Sequence, residues 1–224
     1  MEVEIIAHIR TDFPNKFGIP RQSGLCDLVS YIVFEKKYRN PDALRGLEQY
    51  SHLWLLWQFS LNKEKGYSAT VRPPRLGGNE RVGVFATRSP YRPSPIGLSS
   101  VELVSIEPDT PEGPIIAVRG ADLADNTPII DIKPYLPYTD SHPDAKGGFA
   151  NAVMDQNLEV VIPDSLLERI PEEKRSSLIS ILAQDPRPHY QNDPERIYGM
   201  SFAGFEIKFT TDGKVLTVCD VAAS

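Results

Sequence analysis

Short extended segments, alternating or wholly apolar, dominate the first 140 residues of the chain. They predict β-strands at residues 3–8, 28–34, 53–59, 81–87, 99–106 and 115–120. Gly and Pro separate these segments, and short strands with such turns are typical of a β-barrel or a β-sandwich. Residues 53–59 are apolar on both faces, which predicts a fully buried strand. One helix is expected over residues 41–50, with Asn40 as its cap and Pro41 in its first turn.

A polar, Gly-rich stretch at residues 141–148 separates this region from a segment of different pattern. Near-helical apolar spacing predicts a helix over residues 164–183 that Pro171 interrupts. Strands are expected at residues 158–162, 199–209 and 214–220, with a hairpin turn at 211–213. We therefore expect a mainly β protein. Its N-terminal β-barrel domain covers residues 1–142, and its small α+β C-terminal domain covers residues 149–224.

The chain has the composition of a globular protein, with 41% hydrophobic and 24% charged residues among 224. Its net charge of −6 is unevenly distributed, because residues 63–92 carry seven Lys or Arg against two acidic residues. Such a basic segment can contact phosphates or carboxylates even on an acidic protein, although it can also be an ordinary solvated loop.

Several classes of protein are disfavoured by what the sequence lacks. No apolar run approaches the roughly 20 residues of a membrane span, and the N-terminus does not have the pattern of a signal peptide. Cys26 and Cys219 lie outside any zinc-binding spacing, so we expect no metal and a reducing, cytoplasmic setting. The sequence also lacks the GxGxxG, Walker, HExxH and GxSxG motifs, which argues against a Rossmann domain and against the usual nucleotide or hydrolase sites.

Two loops rich in Arg, Pro and Gly are candidates for binding an anionic ligand. The first, at residues 16–24, contains Arg21, whose guanidinium pairs with carboxylates, and Gln22, which both donates and accepts hydrogen bonds. The second, at residues 70–98, has no helical period and little apolar content that could form a core. Its prolines lower the entropy of ordering the arginine side chains, which are Arg72, Arg75, Arg88 and Arg92.

A third cluster places Asp131, Lys133 and Tyr135 on one face of an extended segment, because side chains on a strand repeat every second residue. Ile130 and Ile132 are expected to face the other way. A carboxylate, an ammonium and a phenol in line can carry acid–base chemistry. The alternative is a solvent-exposed Asp–Lys pair that contributes about 0–1 kcal/mol.

At these segments the sequence resembles the TsaA-like TrmO family. The resemblance rests on Pro-Arg-Gln at 20–22, on residues 71–78, 83–97 and 131–135, and on Asp-Pro-Arg-Pro at 185–188. It implies a β-barrel methyltransferase that uses S-adenosyl-L-methionine and acts, usually as a homodimer, on tRNA. The implied target is the N6 nitrogen of N6-threonylcarbamoyladenosine at position 37, next to the anticodon. The alternatives are a non-catalytic barrel that binds the cofactor or RNA, and a methyltransferase with another substrate.

The resemblance also implies a site. The expected cofactor-binding residues are Pro20, Arg21, Gln22, Leu61, Asn62, Arg88, Leu98, Asp122, Leu123, Ala124 and Asp125. For catalysis we expect Asp131 as the proton acceptor, Lys133 as its positioning partner and Tyr135 as an orienting group, with Asp125 left open as a second candidate acceptor. Arg72, Arg75 and Arg92 are expected to bind the tRNA substrate. This assignment requires the arginine loops and the Asp131 strand to meet in one cavity.

Overall fold

Six antiparallel strands form a closed barrel in the computed structural model, which describes residues 2–61, 66–73, 80–153, 157–187 and 193–224. The strands of this part of the chain are β1 Ala7–Arg10, β2 Val29–Phe34, β3 His52–Gln58, β4 Thr70–Val71, β5 Val82–Gly83, β6 Ile96–Glu107, β7 Ile115–Arg119 and β8 Thr127–Pro134. In the barrel, neighbouring strands pair in the order β1, β2, β7, β6, β3, β8. A two-stranded hairpin, β4 with β5, lies between β3 and β6 in sequence. The predicted mainly β barrel fold is confirmed.

The barrel core is formed by alternate side chains of each strand, as period-two geometry requires. In β3, Leu53, Leu55 and Trp57 are buried, whereas Trp54 and Leu56 between them are only partly buried. The prediction that this strand is buried on both faces is therefore wrong. The outer face of β3 carries two apolar side chains, Trp54 and Leu56, between the polar His52 and Gln58.

A β-bulge changes the side-chain alternation along β8. On the neighbouring strand β3, Trp57 pairs with Ile129 of β8, but Leu56, which precedes Trp57, pairs with Asp131. Ile130 is therefore an additional residue in β8. As a result Ile129 is fully buried in the barrel core and Ile132, three residues later, also packs against that core. The bulge thus places Ile129 and Ile132 at the same core although they are three residues apart, which a regular period of two does not allow.

The C-terminal part of the chain forms a four-stranded sheet with two helices. Its strands pair in the order β10, β11, β12, β9, and β9 runs parallel to β12. A tight turn at Ala203 and Gly204, both with left-handed backbone, divides the predicted strand at 199–209 into two. The bounds are α1 Pro137–Asp140 before this part, then β9 Glu159–Val161, α2 Asp164–Leu167, α3 Glu172–Ala183, β10 Tyr198–Phe202, β11 Phe205–Thr211 and β12 Val215–Ala223.

The segment between β1 and β2 packs against this C-terminal sheet rather than against the barrel core. Phe13, Cys26 and Leu28 belong to the same buried cluster as the C-terminal strands and α3. Gly18, with φ of +94°, lies so close to Met200 that an added Cβ would come within 2.4 Å of the Met200 sulfur. The loop that carries Pro-Arg-Gln at 20–22 is therefore held by the C-terminal core.

Three local predictions need correction. The helix expected over residues 41–50 is a pair of 3-10 turns, Pro41–Leu44 and Leu47–Gln49, interrupted by Gly46 in a left-handed conformation. Asn40 caps the first turn as predicted, since its Oδ1 accepts a hydrogen bond of 3.0 Å from the Asp42 N–H. The strand expected at 81–87 ends after β5 and continues as a 3-10 turn, and β1 begins four residues later than predicted, at Ala7.

Other features of the described residues bear on the class of protein. Cys26 is buried, and burial raises the pKa of its thiol, whereas Cys219 is exposed; both are free thiols. Within the described ranges, no helix combines the length and apolar character needed to cross a bilayer. In that same part of the chain, His, Cys, Asp and Glu form no group of three that could hold a metal ion.

Candidate cofactor cavity

A cavity of about 320 Å³ lies between the loop at residues 20–22, the adjoining ends of β3 and β6, and the arginine-rich segment at 87–92. This volume is within the roughly 300–1,000 Å³ range of small-molecule sites. The cavity is lined by Pro20, Arg21, Gln22, Trp57, Phe59, Thr87, Arg88, Arg92, Ile96, Gly97, Leu98 and Asp122. It thus combines guanidinium groups, one carboxylate and an apolar wall.

A chain of hydrogen bonds connects the barrel interior to the carboxylate of the cavity. The indole N–H of Trp57 donates to Ser99 Oγ at 3.0 Å, and the Ser99 hydroxyl donates to Asp122 Oδ1 at 2.5 Å. Burial raises the pKa of Asp122, and the hydrogen bond from Ser99 opposes that shift. A carboxyl group with a raised pKa, fixed in position by a neighbour, is suited to accept a proton.

The packing of Trp57 depends on a glycine. Gly97 pairs with Trp57 across β3 and β6, and an added Cβ at residue 97 would come within 2.3 Å of the Trp57 ring. Phe59 packs edge-on against the same indole, with ring centroids 4.3 Å apart. Because Gly97 has no side chain, the indole can pack close to the backbone of β6, where it forms the aromatic part of the cavity wall together with Phe59.

Each of the three arginines in the cavity is oriented by a protein acceptor. Arg88 Nη1 donates to Gln22 Oε1 at 2.6 Å, which joins the two arginine-bearing loops. Arg92 Nη1 donates to the carbonyl of Thr87 at 2.6 Å, and its guanidinium lies over the Phe85 ring. Arg21 donates to the backbone carbonyl of Asp185. A guanidinium has five donors, so the Arg88 bond to Gln22 still leaves donors for a carboxylate.

The structure brings together six of the predicted cofactor-binding residues and one predicted substrate-binding residue. These are Pro20, Arg21, Gln22, Arg88, Leu98 and Asp122, with Arg92. Residues separated by up to 102 positions in the sequence thus meet around one cavity.

The remaining predicted binding residues lie elsewhere or outside the described residues. Leu61 is 45% exposed beyond the end of β3, and Leu123 and Ala124 are buried, with Leu123 in the barrel core. Asp125 is exposed and accepts a hydrogen bond of 2.9 Å from the Thr11 N–H. Arg72 is exposed just after β4. Asn62 and Arg75 lie outside the described residues.

The Asp131 row, which consists of Asp131, Lys133 and Tyr135, lies on the outer face of the barrel, away from the cofactor cavity. Lys133 Nζ forms an ion pair of 2.7 Å with Asp131, and Tyr135 packs against Trp54 with ring centroids 5.5 Å apart. Asp131 borders a second cavity of about 300 Å³, formed with the 3-10 turns after β2. Within one chain, the prediction that the arginine loops and this row meet in a single cavity is wrong. The β8 strand presents Asp131 and Lys133 beside the outward-facing Leu56 and Trp54.

Sequence reasoning missed the residues that build the cavity wall. The sequence pattern assigns Trp57 and Phe59 only to a buried strand, Gly97 only to the loop at residues 70–98, and Ser99 only to the start of a strand. One signal in the sequence points to Trp57 and its partner, because the indole N–H of a Trp in a buried strand needs a hydrogen-bond acceptor. The identity of that partner depends on strand register, which the sequence does not specify.

Fold and cavity together define a β-barrel protein with a cavity of small-molecule size that combines guanidinium groups, a carboxylate and an aromatic wall. Residues 8–141 match the model of the tRNA-methyltransferase O N-terminal domain, and residues 155–224 match that of the TrmO C-terminal domain. The chain therefore belongs to the tRNA-methyltransferase O family.

Relatives in other organisms are similar over nearly the whole chain. A tRNA (adenine(37)-N6)-methyltransferase of Escherichia coli is 40% identical over 217 residues, which cover 93% of this chain and 92% of the relative. A Pseudomonas aeruginosa protein that is named as an S-adenosylmethionine-dependent methyltransferase is 40% identical over 207 residues, 88% of this chain and 87% of its own length. The crystal structure of TrmO from Pseudomonas aeruginosa superposes with a TM-score of 0.78 and 33% identity, covering 100% of this chain and 99% of that one.

Proposed function

We propose that this protein is an S-adenosyl-L-methionine-dependent tRNA methyltransferase that modifies the N6 nitrogen of adenine at position 37. Family membership and the names of the relatives support the reaction class. The observation that carries the proposal is the composition of the cavity, in which Arg88, Asp122 and the Trp57 wall surround one space. The resemblance described above extends the proposal to N6-threonylcarbamoyladenosine as the substrate and to the cytoplasm as the location.

The residues that line the cavity fit the groups of the cofactor. Arg21 and Arg88 provide guanidinium groups for its carboxylate, and Asp122 provides a negative charge for its ribose hydroxyls or its sulfonium. Trp57 and Leu98 offer apolar surface to its adenine ring. When bound, S-adenosyl-L-methionine supplies the activated methyl group of the reaction.

The protein must also remove a proton from the target nitrogen, and Asp122 is the acidic residue that lines the cavity. That nitrogen is attached to both a purine and a carbamoyl group, which delocalise its lone pair and make its proton more acidic. A carboxylate whose pKa burial has raised is therefore a sufficient base. We propose Asp122 as the proton acceptor, with Ser99 holding the carboxylate in position.

Contact with tRNA is proposed for the basic segment that leads into the cavity. Arg72 and Arg81 are exposed next to the hairpin formed by β4 and β5, and Arg88 lies where the same segment reaches the cavity. Positive side chains around a cavity attract the phosphates of an anticodon loop and position it. The net negative charge of the whole chain is located elsewhere in the sequence.

The function is tested with purified protein, S-adenosyl-L-methionine and tRNA prepared with and without the threonylcarbamoyl group. We expect methyl transfer to the modified tRNA, detected by mass spectrometry of its nucleosides, and heat release on titration with the cofactor alone. Cofactor binding without transfer to either tRNA contradicts the enzymatic proposal and favours a non-catalytic barrel. Transfer to unmodified tRNA contradicts the proposed substrate.

An Asp131→Asn variant tests the competing assignment of the proton acceptor. Asp131 pairs with Lys133 outside the cavity of its own chain, and an exposed ion pair contributes at most about 1 kcal/mol to stability. We therefore expect kcat to fall by less than about fivefold, the rate equivalent of that energy. The measurement is single-turnover methyl transfer with tRNA affinity determined separately.

A loss of kcat of about 100-fold or more, the size of a lost general base, contradicts the assignment to Asp122. It would instead support a homodimer in which the Asp131 row of one copy completes the cavity of the other. In that case a mixture of the Asp131→Asn and Asp122→Asn variants regains activity that neither has alone. A mixture that stays inactive excludes shared sites.

A further inference from the structure

The turn that follows helix α3 in the C-terminal part of the chain contacts the loop at residues 20–22. The two segments are separated by more than 160 residues in the sequence, yet the closest contacts of that loop include Gln184 and Asp185. Both residues are buried, although each carries a polar side chain. Burying a polar group costs folding free energy unless the group is hydrogen-bonded. The hydrogen-bond partners of Gln184 and Asp185 therefore show which segments these two residues fix in place.

Gln184 connects three backbone segments through its side-chain amide. Its Oε1 accepts a hydrogen bond of 3.3 Å from the N–H of Arg21. Its Nε2 donates to the carbonyl of Leu25 at 3.2 Å and to the carbonyl of Ser180 at 3.1 Å. One side chain therefore fixes both ends of the segment that carries Arg21 to the last turn of α3.

Asp185 turns its carbonyl toward Arg21 through an unusual backbone conformation. Its φ is +52°, in the left-handed region that a residue with a Cβ seldom occupies, and its carbonyl accepts from the Arg21 guanidinium. Arg187 holds the Asp185 carboxylate through a buried ion pair, with Nε 3.0 Å from both oxygens. This packing stabilises a backbone conformation that is unfavourable on its own.

We propose that residues 184–187 of the C-terminal part act as a positioning device for the cofactor cavity. They fix the backbone and guanidinium of Arg21, which in turn lines the cavity beside Gln22 and its partner Arg88. The inference rests on the proposed function, because it assigns to these residues the orientation of a loop that binds S-adenosyl-L-methionine. Gln184 is a positioning residue and lies outside the lining of the cavity.

A Gln184→Met variant keeps the length of the side chain and removes its hydrogen bonds to Arg21 and Leu25. We expect the dissociation constant and the KM for S-adenosyl-L-methionine to rise about tenfold, equivalent to about 1.4 kcal/mol. The kcat at saturating cofactor should change little, because the proton acceptor and the aromatic wall stay in place. Hydrogen–deuterium exchange at the Arg21 amide should become faster in the variant.

An Ile181→Val variant is the matched control. It removes one buried methyl group from the same helix and weakens the same C-terminal core, but it leaves every hydrogen bond of Gln184 in place. We expect it to lower thermal stability without changing cofactor affinity. Should Gln184→Met fail to fold, Gln184→Asn replaces it, since that amide is one methylene too short to bond Arg21 and Leu25 together.

The outcomes separate this inference from the proposed function. Wild-type protein that binds no S-adenosyl-L-methionine in calorimetry contradicts the proposed function itself. Wild-type binding with unchanged affinity in the Gln184 variants overturns only the positioning role. An equal loss of affinity in Ile181→Val also overturns it, since general destabilisation would then explain the effect.

Discussion

Replacing Asp122 by Asn is expected to lower kcat by about 10²- to 10⁴-fold, the range measured when a general base is removed. The substitution preserves the size of the side chain and its capacity to bond Ser99 Oγ, which now lies 2.5 Å from Oδ1. It removes the negative charge of the side chain and with it the ability to take a proton, so cofactor affinity is measured separately from kcat. Single-turnover methyl transfer at saturating cofactor and tRNA measures this loss directly.

The same substitution is expected to increase stability at neutral pH. Burial raises the pKa of Asp122 in the folded protein, so the folded state holds this proton more tightly than the unfolded chain does. The tighter binding of this proton stabilises the folded state fully at a pH below the ordinary Asp pKa of about 3.9. That stabilisation is lost as the pH rises through the pKa of Asp122 in the folded protein. Asn does not titrate, so the melting temperature of the Asp122→Asn variant should exceed that of the wild type by an amount that grows from acidic to neutral pH.

The pH dependence of the wild-type enzyme offers an independent check. A proton acceptor must be deprotonated to act, so kcat should fall on the acidic side with a midpoint above the ordinary Asp value. Binding of S-adenosylhomocysteine to Asp122→Asn controls for an intact cavity. A kcat close to that of wild type, with normal folding, rules out Asp122 as the acceptor and leaves it as a residue that only binds the cofactor.

Replacing Gly97 by Ala is expected to damage both the barrel and the cavity. The added Cβ would lie 2.3 Å from Trp57 Cε2, a distance that two carbon atoms cannot occupy, so the indole must move. Overpacking of this kind typically costs about 1–3 kcal/mol of folding free energy. Displacement of the indole also breaks its hydrogen bond to Ser99, which supports Asp122.

Chemical denaturation and cofactor titration measure the two effects of the Gly97→Ala substitution. Gly83→Ala is the matched control, since an added Cβ there meets nothing within 4 Å and Gly83 has an ordinary φ of −58°. We expect the control to keep wild-type stability and affinity. A Gly97→Ala protein that binds the cofactor normally contradicts the argument that the position of Trp57 defines the cavity.

Much of the secondary structure follows from local pattern. The alternation of apolar side chains and the Gly and Pro residues between segments were sufficient to predict the strands β2, β6 and β7 and the division of the C-terminal helix at Pro171. Two of the failures share one cause, which is that the hydrophobic pattern of a segment does not reveal a backbone break inside it. Ala203 and Gly204 split one predicted strand into a hairpin, and Gly46 divides one predicted helix into two turns.

The candidate site was only partly predictable, because charged residues in similar sequence motifs occur both in the cavity and on the surface. The structure places Arg21 and Arg88 at one cavity, as the resemblance to the family implies, whereas the Pro-rich loops by themselves indicate only that these guanidinium groups lie outside the core. Asp131 has equally suggestive neighbours in sequence, yet its strand turns it outward. The bulge in β8 determines the phase of that strand, and no local feature of the sequence specifies where a bulge falls.

By itself, the sequence determined the class of the fold, the loops that carry the arginines and the resemblance to one family. All of these depend on residue types and on spacing along the chain. Only the tertiary structure decided that Asp122 is joined to Trp57 through Ser99, that Asp131 lies outside the cavity, and that the turn after α3 holds Arg21. The contacts involved join residues as many as 164 positions apart. They depend on the register of strands and on packing between segments, which is fixed by burial of the whole chain rather than by any local preference.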